Sequence, residues 1–275
     1  MQISVIIPTY NRYELLKRAL TSVYAQSYQP EEVIVVDDGS SDATCNIKND
    51  FPNIVYIRQE NKGVSSARNT GIKKASCQWM AFLDSDDEFH ADKLQKQVDI
   101  HTENPNILMS YTDEIWVYDG VQRKIPKKFQ KTGKDVFLEN LSYCNIAPSS
   151  VMLHKKVLKQ VGLFDEKMEI CEDYDMWLRI ATEFDILLIP KKLIKKYAGH
   201  ADQLSFKYWG MDRFRVKTLE KLLDMNCEAT LKKEGLITKE LMQKYELLRK
   251  GAIKHGKTAD IELYEKKLTY LLLHG

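Results

Sequence analysis

The sequence lacks the features that mark several specialised classes of protein. Its five cysteines are odd in number and widely separated, without the paired spacing of a metal site or a disulfide framework. No segment approaches the roughly 18 consecutive apolar residues that a membrane span needs. Met1 leads almost directly into an apolar segment, without the charged region that begins a secretory signal. A location in the reducing cytoplasm is therefore predicted.

A strong net charge of either sign is also missing. The 41 basic and 39 acidic residues give a formal net charge of +2, which is too small to indicate nucleic acid as the main partner. The hydrophobic content of 44% and the charged content of 29% are typical of ordinary globular proteins. The length of 275 residues allows one large domain, or a domain of about 200 residues with an appendage.

Apolar runs of strand length alternate with helical patterns in the first hundred residues. The runs occupy 3–7, 33–36, 54–57 and 79–83. Uninterrupted apolar strands separated by helices predict an α/β fold with a mostly parallel sheet covered on both faces. Ligands of such sheets bind beyond the carboxyl ends of the strands. Tyr10, Asp38 and Asp86 each follow one of these runs, so we expect them at one rim.

The fourth apolar run ends in an acidic cluster. Three carboxylates, Asp84, Asp86 and Asp87, follow it within four residues. Carboxylates this close repel one another unless a cation lies among them. Mg²⁺ and Mn²⁺ favour hard oxygen ligands and often use only one or two protein carboxylates together with phosphate oxygens. The alternative is a solvated acidic turn that caps the next helix.

The second half of the chain is less regular. Strands are predicted separately at 107–111 and 114–118, and two more segments, 186–189 and 193–197, flank Pro190. Six basic residues with no acid among them lie between Asp119 and Asp135. They form either a solvated, mobile loop or a contact with an anionic acceptor or a membrane surface. Beyond residue 211 only helical patterns remain, with 14 basic against 10 acidic residues.

Five ordered motifs carry a family resemblance. They are Val5–Asn11, Val36–Ser40, Ala67–Asn69, Phe82–Asp87 and Glu172–Arg179. Together they resemble the family 2 glycosyltransferases, which have the GT-A fold and transfer sugars from nucleotide diphosphates with inversion. The resemblance covers roughly 1–210, and it implies a nucleotide-binding half (1–105) and an acceptor-binding half (106–210). The helical extension at 211–275 lies outside it.

The same resemblance implies roles for individual residues of the nucleotide site. Tyr10 would pack against the base, Asp38 would hydrogen-bond it, and Arg68 would lie near the nucleotide or its phosphates. Pro8 and Asp84 belong to the same set, with Asp84 toward the ribose or the metal. The expected donor is a nucleotide-diphosphate sugar, most simply a UDP-sugar.

The resemblance also implies a metal and a catalytic base. Asp86 would ligate Mn²⁺ or Mg²⁺, with His200 as a weaker second candidate, and Asp173 would take the proton of the attacking hydroxyl. The acceptor would be a saccharide or glycoconjugate of cell-envelope polysaccharide synthesis. Peripheral contact with the inner face of the membrane through the basic loop and tail is a further hypothesis.

Each of these residues also has a purely structural interpretation. Asp38 could cap the next helix, Arg68 could form a surface ion pair, and Asp173 could complement a helix dipole. Glu172 and Trp177 are predicted to be structural.

Two other functions are alternatives to this one. A sugar-phosphate nucleotidyltransferase needs a glycine-rich phosphate loop after the first strand, where this chain has the glycine-free segment 8–12. A catalytically inactive protein that binds nucleotide sugars is the other alternative.

Overall fold

The computed structural model describes residues 1–199 and 208–274. Its first half alternates strands and helices as the apolar pattern predicts. In chain order the elements are β1 (Ile3–Thr9), α1 (Tyr13–Tyr24), β2 (Glu32–Asp37), α2 (Ile47–Asp50), β3 (Val55–Arg58), α3 (Val64–Lys74), β4 (Trp79–Phe82), β5 (Glu88–Phe89) and α4 (Lys93–Glu103).

The second half contributes further strands and then helices alone. The elements are β6 (Met109–Tyr118), β7 (Val121–Arg123), α5 (Val136–Leu141), β8 (Met152–His154), α6 (Lys155–Val161), α7 (Glu172–Glu183), β9 (Leu187–Ala198), α8 (Asp212–Asp224), α9 (Glu228–Leu231), α10 (Glu234–Lys254) and α11 (Thr258–His274). Within the described residues, no helix combines the length and the apolar character needed to cross a membrane.

The nine strands of the described residues form one sheet, in the order β3-β2-β1-β4-β8-β6-β9-β5, with β7 paired to β6. The strands β3, β2, β1 and β4 are mutually parallel. Beyond β4 the sheet is mixed, because β8 is antiparallel to both β4 and β6, whereas β6 and β9 are parallel. The parallel strands direct the carboxyl ends of β1, β2 and β4 to the same edge, as expected for an open α/β sheet.

The sheet is buried on both faces because successive side chains of a strand point to opposite sides. On β1, Ile6 packs with Ala67 of α3 and Trp177 of α7, whereas Ile7 packs with Leu16 of α1. The approach of α3 to the sheet is close. A Cβ atom at Gly71 would lie 2.4 Å from Ile6 Cγ2, so only glycine permits this contact.

Two pairs of predicted strands are in fact single strands. The prediction of separate strands at 107–111 and 114–118 is wrong, since β6 continues through Thr112 and Asp113 with shifts in its register to β9. The segments around Pro190 likewise belong to the continuous β9. Ile189 pairs with Thr112, and the next paired residue of β9 is Lys192, opposite Asp113. Pro190 therefore lies in a bulge, where a residue without an N–H group is tolerated.

The helices after residue 211 share an apolar cluster with the sheet-bearing part of the chain. Leu219 of α8 and Ile237 of α10 belong to the same buried cluster as Tyr174 and Leu178 of α7. Lys221 of α8 also reaches the fully buried Asp175, at 3.1 Å. The division at residue 210 remains a prediction.

Candidate active site at the carboxyl ends of the strands

A cleft of about 620 Å³ opens at the carboxyl ends of β1 and β2. Its walls come from the ends of β1 and β2, the first turn of α3, the loop before α7 and the segment that leads into α8. The lining residues include Pro8, Thr9, Tyr10, Arg12, Asp38, Lys62, Gly63, Ser65, Ser85, Glu166, Met168, Glu169 and Tyr208. Pro8, Tyr10 and Asp38, all predicted for the nucleotide site, therefore line one cleft.

Tyr10 presents its ring at the mouth of the cleft, where it is 47% exposed. Its loop is locked to the loop after β2. Asn11 N donates to Ser40 Oγ (2.8 Å), and Asn11 Oδ1 accepts from Ser41 N (2.7 Å). Asn11 has φ of 51°, a left-handed conformation that asparagine tolerates better than most residues. The exposed ring is thus carried by a fixed backbone, as a stacking surface requires.

Asp38 organises the loop in front of α3. Its carboxylate is 4% exposed and accepts hydrogen bonds from Gln59 Nε2 (2.7 Å), Lys62 N (3.0 Å) and Gly63 N (2.8 Å). The helical turn that follows β2 is capped by Asp42 instead, which accepts from Thr44 N at 2.9 Å. The interpretation of Asp38 as the cap of the next helix is therefore wrong. Asp38 anchors a more distant loop while lining the cleft.

Arg68 is a buried ion-pair centre. It is 3% exposed, and its two terminal nitrogens reach Asp84 Oδ1 (2.7 Å) and Glu172 Oε1 (2.6 Å). Desolvation disfavours the charged guanidinium, but the two carboxylates outweigh it and raise the pKa of Arg68. The interpretation as a surface ion pair is wrong. Glu172, which was interpreted as structural, belongs to this ion pair.

The three carboxylates after β4 have different surroundings. Asp84 faces Arg68, as above, and Asp86 Oδ2 lies 2.9 Å from Arg12 Nη1. Asp87 is 2% exposed and accepts from Ser149 Oγ (2.6 Å) and Tyr197 N (3.0 Å). Burial, followed by the charges of Asp86 and Asp84, raises the pKa of Asp87 well above its ordinary value.

The three carboxylates Asp84, Asp86 and Asp87 are called the acidic corner below. Their oxygens include ligands that suit a divalent cation. Asp84 and Asp86 are carboxylates two residues apart, and their side chains are 27% and 15% exposed. Within 1–199 and 208–274 no group of three His, Cys, Asp or Glu side chains is arranged to hold a metal by itself. Mg²⁺ sites commonly combine one or two carboxylates with phosphate oxygens of the substrate, so the two residues fit that kind of site. His200 lies outside the described residues.

Asp173 occupies the first turn of α7, immediately after Glu172. Its Oδ1 accepts from Tyr174 N at 2.7 Å, and its side chain is half-buried. Cys171, which precedes the helix, has φ of 63° and turns the chain sharply into it. Because Glu172 contacts Arg68 and Arg68 contacts Asp84, the start of α7 is tied directly to the acidic corner. An acid is also favoured at this helix end by the dipole.

Several residues of the site gave little signal in the sequence. Arg12, Lys196, Ser149 and Tyr208 lie in ordinary loops or strands, and no motif singled them out. Desolvation disfavours the charged Lys196 ammonium, but the charges of Glu114, Asp87 and Asp173 raise its pKa. The Lys196 ammonium therefore interacts electrostatically both with Asp87 of the acidic corner and with Asp173 at the start of α7.

Comparison with known proteins agrees with the motifs. The model of the family described as glycosyl transferase family 2 matches residues 4–162. An uncharacterized glycosyltransferase of Rickettsia prowazekii is 29% identical over 98% of this chain and 81% of that protein. A second one, of Rickettsia conorii, is 36% identical over 70% of this chain, but this chain covers only 32% of its length.

A relative with a named reaction comes from Escherichia coli. It is UDP-Glc:alpha-D-GlcNAc-diphosphoundecaprenol beta-1,3-glucosyltransferase WfgD, which is 33% identical over 68% of this chain and 72% of that protein.

Solved structures share the fold. S. aureus TarS in complex with UDP-GlcNAc has a TM-score of 0.69 at 22% identity, over 89% of this chain and 71% of that one. The mannosyltransferase PcManGT from Pyrobaculum calidifontis, in complex with GDP-Man and Mn²⁺, has a TM-score of 0.65 at 17% identity, over 98% and 84%. These likenesses confirm the predicted GT-A fold, and with the matched family model they lead to one conclusion: the chain belongs to glycosyl transferase family 2.

Proposed function

We propose that this protein is an inverting glycosyltransferase that moves a sugar from a UDP-sugar to a hydroxyl group of a saccharide acceptor. The observation that carries the proposal is the arrangement around the cleft. Tyr10 and Asp38 line it, and the ion-paired series Asp84–Arg68–Glu172 joins it to the start of α7, where Asp173 follows. A donor pocket, an acidic corner and a candidate base thus occur in sequence along one rim.

Tyr10 and Asp38 would bind the nucleotide. The exposed Tyr10 ring offers a face for the base, and the Asp38 carboxylate is already oriented by three hydrogen bonds. Such preorganisation lowers the cost of binding. Complexes of S. aureus TarS with UDP and with UDP-GlcNAc support a UDP-sugar as the donor, as does the UDP-Glc in the name of WfgD.

Asp86, with Asp84, would hold Mn²⁺ or Mg²⁺ against the diphosphate. When bound, such a cation stabilises the negative charge of the departing nucleoside diphosphate. Arg12 and Arg68, which contact these two carboxylates, add positive charge at the same corner. The Mn²⁺ in the PcManGT complex supports this proposal.

Asp173 would act as the general base. The acceptor hydroxyl attacks the anomeric carbon, its proton passes to the Asp173 carboxylate, and the bond from the anomeric carbon to the diphosphate oxygen breaks. A single displacement of this kind inverts the anomeric configuration. Glu172, the neighbouring carboxylate, is 6% exposed and bound to Arg68, so it is poorly available as a nucleophile for a retaining reaction.

The acceptor we propose is a saccharide joined through a diphosphate to a lipid, as in the name of WfgD. Such a substrate would bring the protein to a membrane surface. The excess of four basic residues in 211–275, from 14 Lys or Arg against 10 Asp or Glu, is compatible with peripheral contact there.

Nucleotide release from a panel of donors tests the proposal. The purified protein is mixed with UDP-Glc, UDP-GlcNAc, UDP-Gal and GDP-Man, with Mn²⁺ or with a chelator. We expect UDP release from at least one UDP-sugar, abolished by the chelator and by Asp86→Ala. If UDP binds but no donor is ever cleaved, with or without an acceptor, the protein is an inactive nucleotide-sugar-binding protein instead.

A further inference from the structure

Three aromatic side chains form a row in the second half of the fold. The rings of Trp116 on β6 and Phe129 lie 5.4 Å apart between centroids, and those of Phe129 and Tyr143 lie 5.8 Å apart. These three residues are called the aromatic wall below. Its outer member, Tyr143, is 36% exposed, and the other two are half-buried. An aromatic surface that remains open to solvent is available to a ligand.

Cations are arranged along the aromatic wall. Lys128 Nζ lies 5.0 Å from the Phe129 centroid and 4.7 Å from the Tyr143 centroid. The Arg215 guanidinium of α8 lies 5.5 Å from Tyr143. At the other end, Lys196 Nζ lies 5.9 Å from Trp116. Lys128 is exposed, so its ammonium can meet a ligand without leaving the wall.

The base of the aromatic wall is held rigidly. The Trp116 indole donates to Glu114 Oε1 at 2.5 Å, and Glu114 forms a 2.7 Å ion pair with Lys131. The Lys131 side chain is only 2% exposed and also donates to Thr112 O at 3.0 Å. Lys131 of the basic segment is therefore buried and holds the loop in place. For this residue, the interpretation of the segment as a solvated, mobile loop is wrong.

The aromatic wall stands beside the proposed base. The segment that carries Tyr143 is fastened to α7, because Tyr174 Oη donates to Leu141 O (2.5 Å) and Trp177 Nε1 donates to Ile146 O (2.9 Å). Desolvation and the charge of Asp173 both raise the pKa of the adjacent Cys144 thiol. The segment that carries Tyr143 thus packs against the start of α7, where Asp173 lies.

We infer that the aromatic wall is the acceptor subsite and that it selects a saccharide carrying a phosphate or diphosphate at its reducing end. This inference rests on the proposed function. The apolar face of a sugar ring would pack on Tyr143 and Phe129, and the phosphate would meet Lys128 and Arg215. A neutral saccharide would use the rings alone. Charge-assisted hydrogen bonds to phosphate are about twice as strong as neutral ones, so the negative charge should dominate affinity.

Equilibrium binding separates these contributions without requiring turnover. The full chain, saturated with UDP, is titrated with two probes of one sugar: octyl α-GlcNAc, which is neutral, and α-GlcNAc diphosphate bearing an octyl chain. We expect the charged probe to bind at least about tenfold more tightly, the effect of one charge-assisted hydrogen bond. Inorganic pyrophosphate, added as a competitor, should displace it only weakly, because pyrophosphate lacks the ring.

Variants then assign the preference to the wall. Lys128→Ala should reduce the ratio of the two affinities by about tenfold, whereas Lys124→Ala, which removes an exposed charge from the same loop, should leave it unchanged. Tyr143→Leu should weaken both probes in parallel, and Tyr143→Phe should restore them. Because each ratio is measured within one protein sample, partial unfolding of a variant cancels.

Three results would overturn the inference: equal affinity for the two probes in the unaltered protein, an unchanged ratio in Lys128→Ala, or the same loss in Lys124→Ala. Failure of the proposed function is a separate outcome, namely no UDP binding or no cleavage of any donor. A protein that cleaves a UDP-sugar but binds both probes equally keeps the proposed function and loses this acceptor subsite.

Discussion

The donor cleft and the aromatic wall are built in opposite ways. The cleft is made from the ends of neighbouring strands, and beside it Arg68 and Glu172 are buried and paired in the series Asp84–Arg68–Glu172. The wall is assembled from separate segments, and the ammonium of Lys128 stays exposed beside its rings. Buried, paired charges leave little freedom to change, whereas an exposed surface of rings and cations can vary without loss of the fold. Under the proposed function, donor binding and acceptor choice would therefore depend on regions that tolerate substitution differently.

Asp173 is the proposed general base, so its replacement should have the largest effect on turnover. Asp173→Asn keeps size and most hydrogen bonding but removes the basic site. We expect the turnover rate to fall by about 10²–10⁴, with UDP affinity nearly unchanged. Proton NMR of the product from an α-linked donor should give a β linkage. Near-normal turnover, or an α-linked product, would contradict the assignment.

Removal of the buried charge in the donor region should cost the most stability. Arg68→Ala leaves Asp84 and Glu172 without their shared partner, and breaking a buried pair costs about 3–5 kcal/mol. Urea denaturation gives the free energy of unfolding. The control is Arg58→Ala, whose side chain is 57% exposed and 3.9 Å from Asp37, for which about 0–1 kcal/mol is expected. Similar losses of unfolding free energy in the two variants would show that the buried Arg68 stabilises the fold no more than an exposed arginine does.

Acid sensitivity should arise in the scaffold, at His101 of α4. Burial, as the first cause, lowers the pKa of His101 to about 4 from 6.5, and its ring nitrogens contact Ile107 O (3.0 Å) and Ser110 Oγ (2.9 Å). Because the unfolded chain binds this proton more readily, stability present at pH 7 is lost as the pH falls from about 6.5 to about 4.

The shift corresponds to a loss on the order of 3 kcal/mol. His101→Gln should flatten the dependence of unfolding free energy on pH over that interval, relative to the unaltered protein. His90→Gln, which changes an exposed histidine, is the control and should not. Parallel pH profiles for the His101 variant and the unaltered protein would refute the assignment.

Asp38 should produce the smallest of these effects. In Asp38→Asn the carboxylate that accepts from Lys62 N and Gly63 N is lost, and with it the proposed charge-assisted bond to the nucleobase. We expect UDP affinity to weaken by about 1.5–3 kcal/mol, with a smaller change in turnover. Titration calorimetry with UDP measures it. Asp42→Ala removes the cap of the turn after β2 and the hydrogen bond from Tyr13 N, but Asp42 does not line the cleft, so UDP affinity should stay intact. An equal loss there would assign both effects to loop stability.

A further outcome concerns the helices after residue 211. They lie outside the family resemblance, but Tyr208, just before them, lines the cleft and Leu219 packs in one cluster with Tyr174. A chain ending near Tyr208 would expose that cluster, so we now expect it to unfold. Thermal melting of the shortened chain distinguishes this result from an independent domain at 1–210.

Several residues of the donor cleft could be predicted from the sequence alone. Strand ends are marked by an apolar run followed by polar residues, and parallel topology sends those ends to one edge. Tyr10, Asp38 and Asp86 could therefore be expected at one edge of the sheet without coordinates. No comparable sequence pattern predicted the register shifts between β6 and β9. The polar pair Thr112 and Asp113 separates the two predicted strands, whereas in the structure the partner strand accommodates this pair by shifting register.

Only the tertiary structure could decide which charges meet. Arg68 and Glu172 are 104 residues apart in the chain and 2.6 Å apart in space, and no local pattern encodes that distance. The aromatic wall is a stronger case, since Trp116, Phe129, Tyr143 and Arg215 are individually ordinary and lie in four segments. Local periodicity and turn chemistry determine elements and the residues at their ends, because those depend on near neighbours. Long-range ion pairs and ring contacts depend on how the elements pack, so they become visible only in the folded chain.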